Sequence, residues 1–171
     1  MAPSQILSKT AKAYIKALSD VDADAIAAVT TEDYTIQTSP TSANIGDATG
    51  QVTREKLLQQ YQFLPPVLST LNLQVKKEWP ANEATNQVSL LSTGDFKFHS
   101  RIIGDDKEED WQFKPEVLYI FTMDESGEKV KELFEFQDSS VVRGLQKMFE
   151  KAMGRIGGPD IASIDRPSQA D

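Results

Sequence analysis

The sequence predicts an α+β protein: a strongly curved, mostly antiparallel sheet with helices packed across one face. Two observations predict it. Helical periodicities come first in the chain and a run of alternating strands follows, the order expected when helices are segregated to one side of an antiparallel sheet. Residues 113–138, FKPEVLYIFTMDESGEKVKELFEFQD, then read as a long β-hairpin reversing at Asp124-Glu125-Ser126-Gly127, whose acidic, Ser and Gly chemistry suits a tight turn.

Taken in order, Ile6, Leu7, Ala11, Tyr14, Ile15 and Leu18 recur at three- and four-residue spacing and predict a helix over 4–19. Asp20, Asp22 and Asp24 supply caps for a second short helix over 23–29. Residues 31–38 alternate around Tyr34 and Ile36 and form a strand, and the Ser/Thr/Gly/Pro-rich stretch 39–50 is a loop over the mouth of a pocket. Thr53 caps a helix with Leu57, Leu58, Tyr61 and Leu64 as its stripe, ended by Pro65-Pro66, which cannot donate backbone hydrogen bonds. Residues 71–79 alternate as a half-buried strand. Residues 82–86 turn, and 87–101 form one long strand with Gly94 as its bending point. The acidic run 104–110, GDDKEED, is a solvated connector.

Within the hairpin, Val117, Tyr119, Phe121 and Met123 alternate with Glu116, Leu118, Ile120 and Thr122. Both faces of this arm are apolar, which predicts a strand covered on both sides. In the second arm Leu133, Glu135 and Gln137 share one face, and Val130, Glu132, Phe134 and Phe136 the other. Ser139-Ser140 open a last helix to about residue 153 with Val141, Val142, Leu145, Met148 and Phe149 as its stripe, and Asp138 is placed to cap it. Residues 1–153 are expected to be a single domain and 154–171 a flexible tail.

The 171 residues suffice for one domain with a real core, and 39% apolar with 26% charged residues is ordinary for a globular protein. A net charge of −8 and a pI near 4.7 argue against nucleic acid or an anionic membrane as partner. The absence of cysteine removes thiolate chemistry and suits a reducing compartment. No apolar run approaches the roughly 20 residues that cross a bilayer, and the first residues have no signal-peptide core. The expectation is a cytoplasmic protein. One histidine without cysteine argues against zinc, no glycine-rich phosphate loop or nucleophile elbow occurs, and the acidic run lacks calcium-loop spacing. No metal and no cofactor are expected.

The order of elements and the closing stretch from Gly127 to Asp138, ending Glu135-Phe136-Gln137-Asp138, resemble the SnoaL-like branch of the nuclear transport factor 2-like superfamily, and the strand from Pro115 to Phe121 is similar to that of its fungal-type members. The resemblance spans roughly residues 4–153, with one departure: an extra residue, Glu128, between the turn glycine and the Lys129-Val130 pair. It implies a cone-shaped α+β barrel, dimeric through the outer sheet face, and a cofactor-independent cyclase, isomerase or dehydratase acting on a small apolar metabolite such as a polyketide or terpenoid. Non-catalytic binding proteins share the fold, and fold alone does not choose between the two.

Enzymes of this kind move protons with carboxylates or a histidine in an apolar pocket, where burial raises a carboxyl pKa toward neutrality. Glu135 is the first candidate, because by the resemblance its face looks into the cone; the competing reading is a solvated or lysine-paired carboxylate. His99, the single histidine, Tyr119 and Glu116 are the further catalytic candidates, set against a satisfied histidine, a packed tyrosine and an interface ion pair. Tyr34, Trp79, Leu133, Gln137 and Phe121 are the expected binding residues, with core packing the competing role for Tyr34 and Trp79.

Overall fold

The computed structural model describes residues 1–41 and 51–157. Most of the expected loop at 39–50, and the expected tail from residue 158 onward, lie outside the described residues.

Helix α1 (Ser4–Ser19) buries Leu7, Ala11, Tyr14, Ile15 and Leu18, its apolar stripe. Helix α2 (Ala23–Ala28) starts where the Asp22 carboxylate accepts from the Ala25 amide at 2.9 Å. Strands β1 (Thr30–Ser39) and β2 (Gln51–Thr53) lead to α3 (Arg54–Phe63), capped by the Thr53 hydroxyl, which accepts from the Lys56 amide at 3.4 Å. After Pro65-Pro66 come β3 (Leu68–Thr70), β4 (Leu73–Glu78), β5 (Gln87–Gly94), β6 (Lys97–Phe98), the short α4 (Ser100–Ile103), a 3-10 turn (Glu108–Trp111), β7 (Glu116–Met123), β8 (Val130–Gln137) and α5 (Ser139–Ile156). The main sheet runs β2-β1-β8-β7-β5-β4, and its one parallel pairing is β1 with β8. Strands β3 and β6 form a separate two-stranded ladder.

Four expectations need correction. The strand foreseen over 87–101 stops at Gly94. A β-carbon there would lie 2.7 Å from the Phe96 ring, so the bare glycine is what lets Phe96 fold back beside Phe113, and residues 100–103 become helical. The strand foreseen over 71–79 begins at Leu73; Leu71 turns into a second core, and a bulge between Val75 and Lys77 sends the end of β4 outward. The acidic connector is exposed as expected except at Asp106. Asp106 accepts from Lys151 at 2.7 Å, from the Trp111 indole at 3.1 Å and from Arg155, and these donors, Lys151 foremost, hold its carboxyl down to about 2. It thereby fastens α5 to the 3-10 turn. Finally, α5 continues to Ile156, past residue 153, and ends at Gly157 in the left-handed conformation (φ +63°).

The hairpin forms as the alternation predicts, with Phe121 opposite Leu133, Tyr119 opposite Glu135 and Val117 opposite Gln137. Its turn is tied by hydrogen bonds from the Gly127 amide to the Asp124 carbonyl (3.1 Å) and from the Asp124 amide to the Lys129 carbonyl (2.9 Å). Gly127 has φ +76°, and a β-carbon on it would stand 2.4 Å from that of Ala2, so the turn sits directly on the start of α1. The Thr10 hydroxyl donates to the Gly127 carbonyl at 2.7 Å. Beyond the turn the ladder slips: Met123 pairs with Val130 and Thr122 with Glu132, which leaves Lys131 as a bulge. The slip reverses the side to which Val130 points. Val130 is wholly buried rather than on the face of Glu132, Phe134 and Phe136. That outer face is also less covered than expected, with Leu118, Ile120 and Phe134 half-buried and Phe136 50% exposed.

The larger core lies between α1–α3 and the inner sheet face, and includes Leu7, Tyr14, Leu90, Phe121 and Leu133. Each such large side chain withdrawn from water contributes roughly 1.5–3 kcal/mol. A smaller core gathers Val67, Phe98, Ile102, Trp111 and Met153 under α5. Tyr61 of α3 packs against both.

Candidate functional site

Alternation along four strands brings one row of side chains across the inner face: Thr38 on β1 is level with Glu135 on β8, Glu135 with Tyr119 on β7, and Tyr119 with Leu90 on β5. The next row is Ile36, Leu133, Phe121 and Val88, wholly apolar. From the helical side, Tyr14 of α1 and Tyr61 of α3 descend onto these rows. The Tyr14 and Tyr34 hydroxyls are hydrogen-bonded at 2.5 Å, and Tyr14 meets Phe121 edge-on with ring centroids 5.6 Å apart. Tyr119 lies beside Phe121 at 5.9 Å.

Glu135 is the carboxylate of this cluster. The residue is half-buried by area, yet dense protein surrounds its carboxyl group, and this desolvation pushes its pKa up to about 7. The Gln137 side-chain amide donates to Oε2 of Glu135 at 3.4 Å. All four tyrosines of the chain, Tyr14, Tyr34, Tyr61 and Tyr119, feel the charge of this carboxylate. Burial above all raises each phenol above its ordinary range, and the negative charge of Glu135 adds to this in all four, so all four stay protonated.

Of the residues expected from sequence, Glu135, Tyr119, Tyr34, Leu133, Phe121 and Gln137 meet here. His99, Glu116 and Trp79 do not. His99 stands at the start of α4, its ring nitrogen Nε2 3.0 Å from the Pro65 carbonyl, on the β3–β6 side of the molecule. Glu116 is exposed at the head of β7 beside Thr93, on the outward-facing phase of the strand. Trp79 follows the β4 bulge and donates its amide to the Ser89 carbonyl, again on the outer face, with Lys77 Nζ 4.7 Å from its ring centre. For Glu116 and Trp79, one residue of strand phase or one bulge separates the inner face from the outer; His99 is removed by the end of the strand before it.

Tyr14, Tyr61 and Thr38 are members that sequence reasoning did not single out. Tyr14 and Tyr61 were legible only as part of the apolar stripes of α1 and α3. The signal that could have found them is that every tyrosine in the chain falls on an inward position.

Two cavities stand out among the described residues. A cavity of about 130 Å³ lies beside Trp111, lined by Phe96, Phe98 and Ile103 among others, and a wider, open one of about 650 Å³ lies at the turn end of the hairpin. Glu135 lines neither. Among the described residues no group of three or more His, Cys, Asp or Glu is placed to hold a metal ion.

No protein-family model matches the sequence, and no curated protein does. Solved structures do. AusH from Aspergillus nidulans is 20% identical over 81% of this chain and 88% of its own, with a TM-score of 0.67. The BvnE pinacolase from Penicillium brevicompactum is 16% identical over 85% and 94%, with a TM-score of 0.70. A putative SnoaL-like polyketide cyclase from Shewanella denitrificans OS-217 is 13% identical over 83% and 98%, with a TM-score of 0.61. At such identities the likeness is one of architecture. The helices laid across a curved six-stranded sheet, closed by a C-terminal helix, give this chain the SnoaL-like, nuclear transport factor 2-like fold.

Proposed function

We propose that the protein is a cofactor-independent acid/base enzyme, a cyclase, isomerase or dehydratase, acting on a small apolar metabolite of the polyketide or terpenoid kind. The observation that carries the proposal is the Glu135 carboxyl, raised to about 7 by burial, level with Tyr119 on the next strand and close enough for its charge to act on all four tyrosines. Near neutral pH such a group exists in both protonation states. It can take a proton from one carbon and return it to another, or protonate a departing hydroxyl. The phenols keep their protons, and a phenol beside the reacting atoms donates to an oxygen on which negative charge develops. Gln137 holds one carboxylate oxygen, while Leu133 and Phe121 form an apolar wall. The pinacolase and the putative polyketide cyclase among the structural neighbours support small-molecule chemistry on this fold. The acidic, cysteine-free composition supports a cytoplasmic location without nucleic-acid or membrane partners, and no helix among the described residues is long and apolar enough to cross a membrane.

The test is proton exchange. The wild-type protein accelerates exchange of the protons α to the carbonyl of 1-tetralone into D2O, and Glu135→Gln, which keeps the shape and removes the acid, lowers the rate by about 10²-fold or more. Undiminished exchange by the variant strips Glu135 of its role. A second reading, a non-catalytic ligand-binding module, is favoured by one observation: the cavities of about 130 and 650 Å³ both lie away from Glu135. Binding of 1-tetralone without any exchange is the result that selects it.

A further inference from the structure

Buried side-chain oxygens in folded proteins almost always have a hydrogen-bond partner, and each exception asks for a reason. Among the described residues two buried threonine hydroxyls make no well-formed hydrogen bond, Thr31 and Thr38, and the first still lies against the Asp33 carboxylate, whose pKa it lowers. Thr31 stands at the start of β1 and lines the open cavity at the turn end of the hairpin. Thr38 is different. It is 2% exposed, it lies on the inward phase of β1 with Tyr34 and Ile36, and the parallel ladder sets it level with Glu135.

Its neighbours do not satisfy it. The Gln137 amide, which bonds the Glu135 carboxylate beside it, is directed there and not to Thr38. A buried hydroxyl that no protein group bonds contributes less to stability than one that is paired. A valine would fill the same volume with no hydroxyl left to pair. A threonine one strand from the candidate acid therefore has the character of a binding group whose partner arrives with the ligand.

We infer that Thr38 is a substrate-binding, specificity-determining residue whose hydroxyl bonds a second oxygen of the ligand, so that the site takes apolar molecules carrying two neighbouring oxygens. Adjacent strands are about 4.8 Å apart, so the Thr38 and Glu135 side chains rise from neighbouring backbone positions, within reach of two nearby oxygens of one molecule. A hydroxy-ketone or a diol satisfies this; a simple ketone does not. One oxygen meets the Glu135 carboxyl and the other meets Thr38. The inference rests on the reading of Glu135 as the acid/base of the site and adds the class of molecule that the site prefers.

The experiment compares 1-tetralone with 2-hydroxy-1-tetralone, titrated against the protein by NMR without following turnover. The wild type binds the hydroxy-ketone about fivefold more tightly, the effect of one added neutral hydrogen bond. Thr38→Val abolishes the preference and leaves the affinity for 1-tetralone in place, and Thr38→Ser restores the preference. The same preference persists in Glu135→Gln, whose amide still donates to the ketone, so failure of the Thr38 assignment and failure of the Glu135 assignment are read separately. Equal affinities in the wild type, no binding of either probe at its solubility limit, or a preference surviving in Thr38→Val overturns the inference. A second readout needs no ligand: Thr38→Val raises the melting temperature of the empty protein. A lowered melting temperature reveals a structural partner for the hydroxyl, such as a buried water, and overturns the inference as well.

Discussion

Glu135→Gln reports on more than turnover, because a carboxyl with a shifted pKa also makes folding depend on pH. The ordinary value is 4.5 and the folded value about 7, with desolvation as the cause. The folded state therefore holds the proton more tightly than the unfolded chain. The protonated group contributes fully below pH 4.5, and the contribution fades as pH rises through about 7. At 1.36 kcal/mol for each pKa unit, this one side chain destabilises the protein by about 3 kcal/mol at pH 8 relative to pH 4. Glutamine is neutral throughout. In urea unfolding the stability of the variant minus that of the wild type should therefore be about 3 kcal/mol larger at pH 8 than at pH 4. Slopes against denaturant should stay equal, so that the difference reads stability and not a changed unfolded state. The same difference at both pH values would mean that the carboxyl is solvated in the folded protein, and the acid/base reading would fall with it.

Three further outcomes follow from other parts of the molecule. Gly127→Ala places a β-carbon 2.4 Å from that of Ala2 at φ +76°, and should cost about 2–3 kcal/mol in unfolding experiments through strain and displacement of the turn from α1. Asp106→Asn removes the carboxylate that Lys151, Trp111 and Arg155 share. It should lower the melting temperature at pH 7, and the loss should vanish as pH falls through about 2, because a depressed pKa gives stability only above it. The half-exposed outer face formed by Leu118, Ile120, Phe134 and Phe136 should pair two copies. Sedimentation should then give about twice 19.0 kDa for the wild type, and Ile120→Lys with Phe134→Lys should return the mass to 19.0 kDa.

The hairpin was legible because its information is local. Period-two alternation fixed which residues share a face, and a glycine after three turn-forming residues fixed where the chain reverses, so Tyr119, Phe121, Leu133, Glu135 and Gln137 came out on the inner face. Helix starts were legible for the same reason, since Asp22, Thr53 and Asp138 each cap the backbone within three residues. What escaped depends on distant partners. The bulge that turned Val130 inward is a property of the ladder, and Glu128 only hinted at an extra residue there. The break at Gly94 depends on the Phe96 ring folding back against Phe113. Tyr14 and Tyr61 looked like ordinary stripe residues, because helical spacing reports which side is buried and not what it is buried against. Thr38 was invisible for the strongest reason: its place beside Glu135 is set by a parallel pairing across most of the chain.

Tyr61 touches both cores and also senses the Glu135 charge. Together with Leu73, which also packs against both cores, this ring joins the anchorage of α5 to the surroundings of Glu135. Loosening the far end, where Arg155 and Lys151 grip Asp106, frees one wall of the smaller core and with it the footing of that ring. Lesions at Asp106 should therefore be felt at Tyr61 as well as at the end of α5.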